Sequence, residues 1–231
     1  MVLDGVEAKG AGVNPLNEYF DAVVVLGSRE HRPDRAALIA AELDKYGVAY
    51  HWFEAHWKPV NHLGKPSANL GCTSSHRSIL GAICLAGWQR TLILEDDNTF
   101  IHDGWEEMFS GMIGEVPPDF DFLFLGGSFA EDPVKRISES VVQTRGMMTT
   151  SSMAVSLGLA RRAAPHLTGD VGIDVLYHPY QREGRSYLFD PRLCVQRKGL
   201  SDIQGIETDG SQSMLDPHHL ARLDAGEQTC I

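Results

Sequence analysis

The chain has 231 residues, enough for one large domain or two small ones, and its 43% hydrophobic content permits a substantial core. A formal net charge of −11 weakens any reading as a general nucleic-acid binder, which needs a basic face against phosphates. No apolar run approaches the ~18–20 residues of a membrane span.

In chain order, residues 1–18 carry glycine, alanine and charges without a hydrophobic segment. They are expected to form a flexible lead-in, not a secretory signal. Val23-Val24-Val25-Leu26 has a buried-strand pattern and runs into Gly27-Ser28-Arg29. From Pro33 to Tyr46 the apolar residues Ala36, Ile39, Ala40 and Leu43 recur at helical spacing, with Gly47 as the stop. Val48 to Phe53 reads as the next strand, and a strand–helix–strand unit favours a parallel α/β sheet. Residues 58–70, rich in Pro, Gly, Asn and Ser, read as a surface loop. Thr73 or Ser74 then caps a helix running to Gly87, with Ile79, Leu80, Ile83 and Cys84 as its buried stripe.

Next comes the most informative stretch, Thr91-Leu92-Ile93-Leu94-Glu95-Asp96-Asp97. A buried strand ends in three adjacent carboxylates. If the extended geometry persists, Glu95 and Asp97 point one way and Asp96 the other. Two carboxylates on one side suit a hard cation, Mn2+ or Mg2+, that keeps positions open for substrate phosphates. An acidic turn after a core strand is the plainer alternative. Trp105, Met108, Phe109 and Met112 mark a further helix, and Phe120 to Leu125 a strand halted by Gly126-Gly127. Residues 130–148 have weak periodicity and suit a cleft cover. Ser152 to Leu157 reads as a strand, with a short helix before Pro165. Tyr187 to Val195 holds the last strand region, and residues 206–231 form a polar tail around a domain at 19–205.

Open α/β sheets bind ligands beyond the carboxyl ends of their strands. Leu26, Gly27, Ser28, Arg29 and Arg35 fall there and suit a diphosphate, although a solvated helix start with ordinary surface charges is the favoured reading of the arginines taken alone. His76, placed in a first helical turn, is either a ligand contact or a structural histidine. Asp96 joins the donor-binding set. Trp52, Trp57 and Trp105 could stack on a sugar or base but read more readily as core aromatics, and His178, His218 and His219, which could add a metal ligand, read more readily as free histidines. The four cysteines, Cys72, Cys84, Cys194 and Cys230, lack C-x-x-C spacing, so neither a zinc site nor a redox pair is expected. A reduced, cytoplasmic setting is the default.

Several segments, taken in order, resemble glycosyltransferase family 25, the lipooligosaccharide and collagen-type galactosyltransferases. These are Arg32-Pro33-Asp34-Arg35, Phe53-Glu54-Ala55, Gly71-Cys72 with Ser75-His76, and Leu92 to Asp97. Ile173-Asp174, Asp190-Pro191 with Gln196, and Ser201-Asp202-Ile203 complete the set. Val175 stands where a second acid is common. The resemblance implies a single α/β domain of GT-A type. A mostly parallel central sheet is flanked by helices, with a Rossmann-like nucleotide-binding half and an acceptor-side half. It also implies a nucleotide-sugar donor, UDP-glucose or UDP-galactose, and a divalent metal on Glu95 and Asp97. The acceptor is then a glycan hydroxyl, as in lipopolysaccharide biosynthesis. An inverting transfer needs one base, for which Asp174 is the first choice and Asp202 and Asp121 the next. Alternatives are a nucleotide-sugar or carbohydrate binder without catalysis, or the same transfer to a hydroxymethylated nucleic-acid base, which the net charge disfavours. A metal-dependent phosphoryl-group enzyme is a third, lowered by the lack of a Walker-type loop.

Overall fold

A computed structural model describes residues 14–203, 205–215 and 220–221. Residues 1–13 of the expected lead-in, Cys230, His218 and His219 lie outside the described residues. The end of that lead-in, residues 14–18, is folded. Helix α1 (Pro15–Tyr19) is capped by the Asn14 side chain, and its Leu16 is buried.

The elements that follow are β1 (Ala22–Gly27), α2 (Pro33–Lys45), β2 (His51–Glu54), α3 (Ala68–Ala86), β3 (Arg90–Glu95), β4 (Asn98–Phe100) and α4 (Trp105–Met112). After them come β5 (Phe122–Phe124), β6 (Lys135–Arg136), β7 (Val141–Gln143), β8 (Ser152–Ser156), α5 (Leu157–Ala163) and α6 (Ile173–Gln181). The chain continues through β9 (Ser186–Phe189), β10 (Cys194–Gln196), β11 (Gly199–Leu200), β12 (Glu207–Thr208) and α7 (Gly210–Met214).

Eight strands form one sheet in the order β2-β1-β3-β8-β5-β9-β7-β6. β1 pairs in parallel with both β2 and β3, as the strand–helix–strand pattern predicts. β8 runs against β3 and β5, β9 lies parallel to β5, and β7 runs against β9. Most strands therefore share one direction, with β8 and β7 reversed. This is the expected α/β layout, a mostly parallel central sheet flanked by helices.

The sheet is covered on both faces, which is why its strands read as continuous apolar runs. Side chains alternate along β1: Val23 and Val25 join a cluster with Ile39, Leu43, Trp105 and Phe109. Val24 and Leu26 pack oppositely, with Ile79, Ile83, Leu159 and Tyr177. Helix α2 follows its predicted stripe, burying Ala36, Ile39 and Leu43. Each such large side chain contributes roughly 1.5–3 kcal/mol on full burial. At the sheet end where β5 begins, buried Asp121 is paired with Arg162 and Arg185, each at 2.7 Å. That pairing makes Asp121 a structural anchor and removes it as a candidate base.

Two spans differ from the sequence reading. The loop assigned to residues 58–70 ends earlier, because Ser67 caps α3 by accepting from the Leu70 amide. The helix thus begins at Ala68, and Gly71 lies inside it against the His56–Lys58 strand exit. A Cβ on Gly71 would meet the His56 carbonyl oxygen at 2.2 Å. Gly71→Ala is expected to lower stability by about 1–3 kcal/mol, read as a fall in Tm. A wild-type Tm would show that the two segments part without cost. The second difference is the polar tail. Gly210–Met214 is a helix packed near β10, with Met214 fully buried.

Candidate active site

The strand ends of β1, β2 and β3, the first turns of α3 and α6, and residues 148–150, 196–197, 201–203, 208–210 and 213 enclose a cleft of about 550 Å3. Residues 26–28, Arg35, the acidic tip at 95–97 and Asp174 all line it.

The acidic tip is built by a turn, not by continued extension. β3 stops at Glu95, and Asp96-Asp97 turn the chain into β4. The predicted alternation of side chains is therefore lost, and Asp96 also faces the cleft. Its amide donates to the Leu26 carbonyl at 3.0 Å, and one carboxylate oxygen accepts from the Ser28 amide at 3.4 Å. This fit needs Gly27, where a Cβ would sit 2.7 Å from the Asp96 side chain.

Arg35 is the main countercharge. Its Nη1 donates to Asp97 Oδ2 at 2.9 Å and to Asp96 Oδ1 at 3.4 Å, and its Nη2 to the Leu200 carbonyl at 2.8 Å. One guanidinium does not neutralise three carboxylates. Burial pushes the Asp96 carboxyl up to about 6, against the pull of Arg35. Burial and the neighbouring Glu95 charge also push Asp97 up. Burial works to raise Glu95 as well, but the adjacent His76 ring, the Thr150 hydroxyl and Arg35 outweigh it and hold Glu95 below the ordinary range. The Thr150 hydroxyl donates to Glu95 Oε1 at 2.5 Å. Asp97 Oδ1 is buried and has no hydrogen-bond partner. An orphaned carboxylate oxygen beside a second acid is compatible with a divalent cation.

Asp174 stands in the first turn of α6, where its Oδ1 accepts from the Val175 amide at 3.1 Å. The N-cap is Gly172, so Asp174 is not the capping residue. Burial raises its pKa, partly offset by that amide. Asp202 also lines the cleft but is held by Arg32 at 2.5 Å.

Two expected donor contacts lie elsewhere. Arg29 is not on the cleft wall; its guanidinium sits 4.3 Å from the centre of the Trp52 ring. His76 is fully buried in mid-helix, because α3 starts earlier than predicted. Its Nδ1 is 3.3 Å from the Tyr177 hydroxyl, and its Nε2 is 3.6 Å from Glu95 Oε1. It stands behind the acidic tip and is not on the cleft wall. His178 faces the Met147 carbonyl at 3.2 Å.

Trp52 and Trp105 are core residues, as expected, whereas Trp57 lines the cleft and stacks on His31 at 4.5 Å. The sequence reading also passed over Thr150 and Arg197. Arg197 lines the cleft, pairs with Glu42 and donates its amide to the Asp97 carbonyl at 2.7 Å. Its Nη1 is buried without a partner. An unspent guanidinium donor beside a carboxylate cluster suits a bound phosphate oxygen.

Neither a family model nor a curated protein matches the chain. Among solved structures, A197 from STIV is 11% identical over 80% of this chain and 92% of that one, with a TM-score of 0.48. A glycosyltransferase involved in glycosylation of the major capsid of PBCV-1 is 11% identical over 69% and 76%, with a TM-score of 0.42. Mannose-1-phosphate geranyltransferase from Thermus thermophilus is 11% identical over 73% of each chain, with a TM-score of 0.39. Among the described residues no helix is long and apolar enough to cross a membrane.

Proposed function

We infer that the chain is a glycosyltransferase moving a hexose from a UDP-sugar to a glycan hydroxyl, with inversion and with a divalent metal. This extends the resemblance to family 25. The observation that carries it is the acidic tip on the wall of a cleft at the strand ends, where Asp97 Oδ1 is buried without a hydrogen-bond partner.

Asp97 and Glu95 hold the cation, Mn2+ or Mg2+, which when bound neutralises charge on a departing diphosphate. Arg197 offers its free Nη1 to a phosphate oxygen. Arg35 balances the carboxylates while the metal position is filled. Gly27 and Ser28 let the donor approach the sheet end closely. Asp174 comes from a separate helix and takes the proton of the acceptor hydroxyl as the new glycosidic bond forms.

A screen of sugar nucleotides, with UDP release followed with and without Mn2+ and the product weighed by mass spectrometry, tests the assignment. Metal-dependent UDP release with a hexose-sized gain on an acceptor is expected. Tight UDP-sugar binding with no release for any acceptor would instead make the protein a binder. Arg197→Ala is expected to weaken UDP binding about 10–100-fold, the range for loss of a charged hydrogen bond. Calorimetry with UDP reads this directly, and an unchanged dissociation constant would leave Arg197 only its pairing with Glu42.

A further inference from the structure

We propose that Cys72, His76 and Glu95 form a zinc site with three protein ligands and a fourth position open to the cleft. Cys72 and His76 are one turn apart on α3 and so share a face of that helix. The end of β3 brings Glu95 against that face. One ligand atom from each of the three residues lies within 4.8 Å of the others.

His76 supplies the deciding observation. It is 0% exposed, and its Nε2 has no hydrogen-bond partner. A buried imidazole nitrogen left unpaired is costly, so an occupant is called for. Glu95 Oε1, at 3.6 Å, is too far for a good hydrogen bond. The separation does suit two ligands of one tetrahedral zinc, because bonds of about 2.0–2.3 Å place their ends roughly 3.3–3.8 Å apart. The rest of the ring is prepared for that role. With zinc bound, the ring would carry its proton on Nδ1, where the Tyr177 hydroxyl at 3.3 Å can accept it, and Nε2 would give its lone pair to the ion. Thr150 orients the carboxylate in the same way.

The donor set selects the ion. A thiolate and an imidazole with one carboxylate favour zinc over Mg2+ or Mn2+, which prefer oxygen ligands alone. Binding deprotonates the Cys72 thiol and releases its proton to solvent. Cys72 and Glu95 also line the cleft, so the fourth ligand is water or a substrate oxygen. The motif escaped the sequence reading because its ligands are not spaced C-x-x-C. Two of them are four residues apart, and the third comes from a strand.

Glu95 is common to this site and to the cation assigned above to Asp97, but Cys72 and His76 have no part in the transferase reading, and the test uses no sugar nucleotide, so the two can fail separately. The full chain, stripped by a chelator, is titrated with Zn2+ and separately with Co2+. One zinc per chain is expected, with a thiolate-to-cobalt absorption band in the near ultraviolet. Zn2+, but not Mg2+, should protect Cys72 from alkylation as mapped by mass spectrometry, a readout that needs no variant. Cys72→Ser should abolish the cobalt band and weaken zinc at least ~100-fold, the upper range for losing an outer partner. Asp97→Asn should keep both. Absence of stoichiometric zinc, a cobalt band that survives Cys72→Ser, unprotected Cys72, or zinc lost in Asp97→Asn would each overturn the proposal.

Discussion

Asp97→Ala abolishes metal-dependent UDP release, with an expected fall of about 10²–10³-fold or more, comparable to removing one preorganised electrostatic partner of a transition state. The reason is geometric: Asp97 Oδ1 is the carboxylate oxygen of the acidic tip that is buried and unspent. The fold should survive, and stability should move in the opposite direction from activity. Folding raises the pKa of Asp97 through burial and the nearby Glu95 charge. A carboxyl with a raised folded pKa binds its proton more tightly when folded. Ionising it therefore costs stability as pH rises from the ordinary aspartate range towards the folded value. At neutral pH the alanine variant escapes that cost and should melt no lower than the wild type. Mn2+ should raise the wild-type Tm and leave the variant's unchanged. Melting curves with and without Mn2+, beside a UDP-release assay, check both halves. A variant that turns over normally with Mn2+ would remove the metal from Asp97.

The second large effect falls on Asp174. Asp174→Asn keeps the size and the hydrogen bond from Val175 but cannot accept a proton. Transfer should drop about 10²–10⁴-fold, the usual contribution of general acid–base catalysis. Donor affinity should stay within about twofold, since Asp174 belongs to α6 and not to the strand ends that hold the phosphates. The raised wild-type pKa places the acid limb of the rate profile above the ordinary aspartate range, and that limb should vanish in the variant. Titration of donor by calorimetry, set against turnover across pH, separates the two roles. Normal transfer by the asparagine variant would pass the base role to Asp202, the other cleft carboxylate considered, which would first have to leave Arg32.

The parts of this molecule that were legible in the sequence are those where one local signal fixes the outcome. β1 and the apolar length of β3 are buried on both faces, so hydrophobic runs mark them. Helix α2 has a clear stripe between Pro33 and Gly47. The acidic tip was visible because three carboxylates after a core strand are conspicuous. What failed depended on tertiary partners. The start of α3 is polar, and its capping Ser67 sits in a stretch that looks like loop. Once the helix start moves, His76 passes from an accessible first turn to the buried middle. Arg29 looked like a phosphate ligand until the turn after β1 laid it over Trp52. Strands β6 and β7, at the sheet edge, are too short to show periodicity and exist through pairing, β7 with β9 and β6 with β7. Thr150 reaches Glu95 only because β8 runs beside β3 in antiparallel register, which no local pattern announces.

Arg35 touches two things at once: the carboxylates below it and, through the Leu200 carbonyl, the β11 segment above. Arg32 grips the same segment through Asp202 and Leu200. Charge at the bottom of the cavity and attachment of its upper wall therefore draw on the same guanidinium. Any occupant that changes how firmly Arg35 is pulled downward also changes how firmly that wall is tethered, so filling and enclosure are thermodynamically linked quantities.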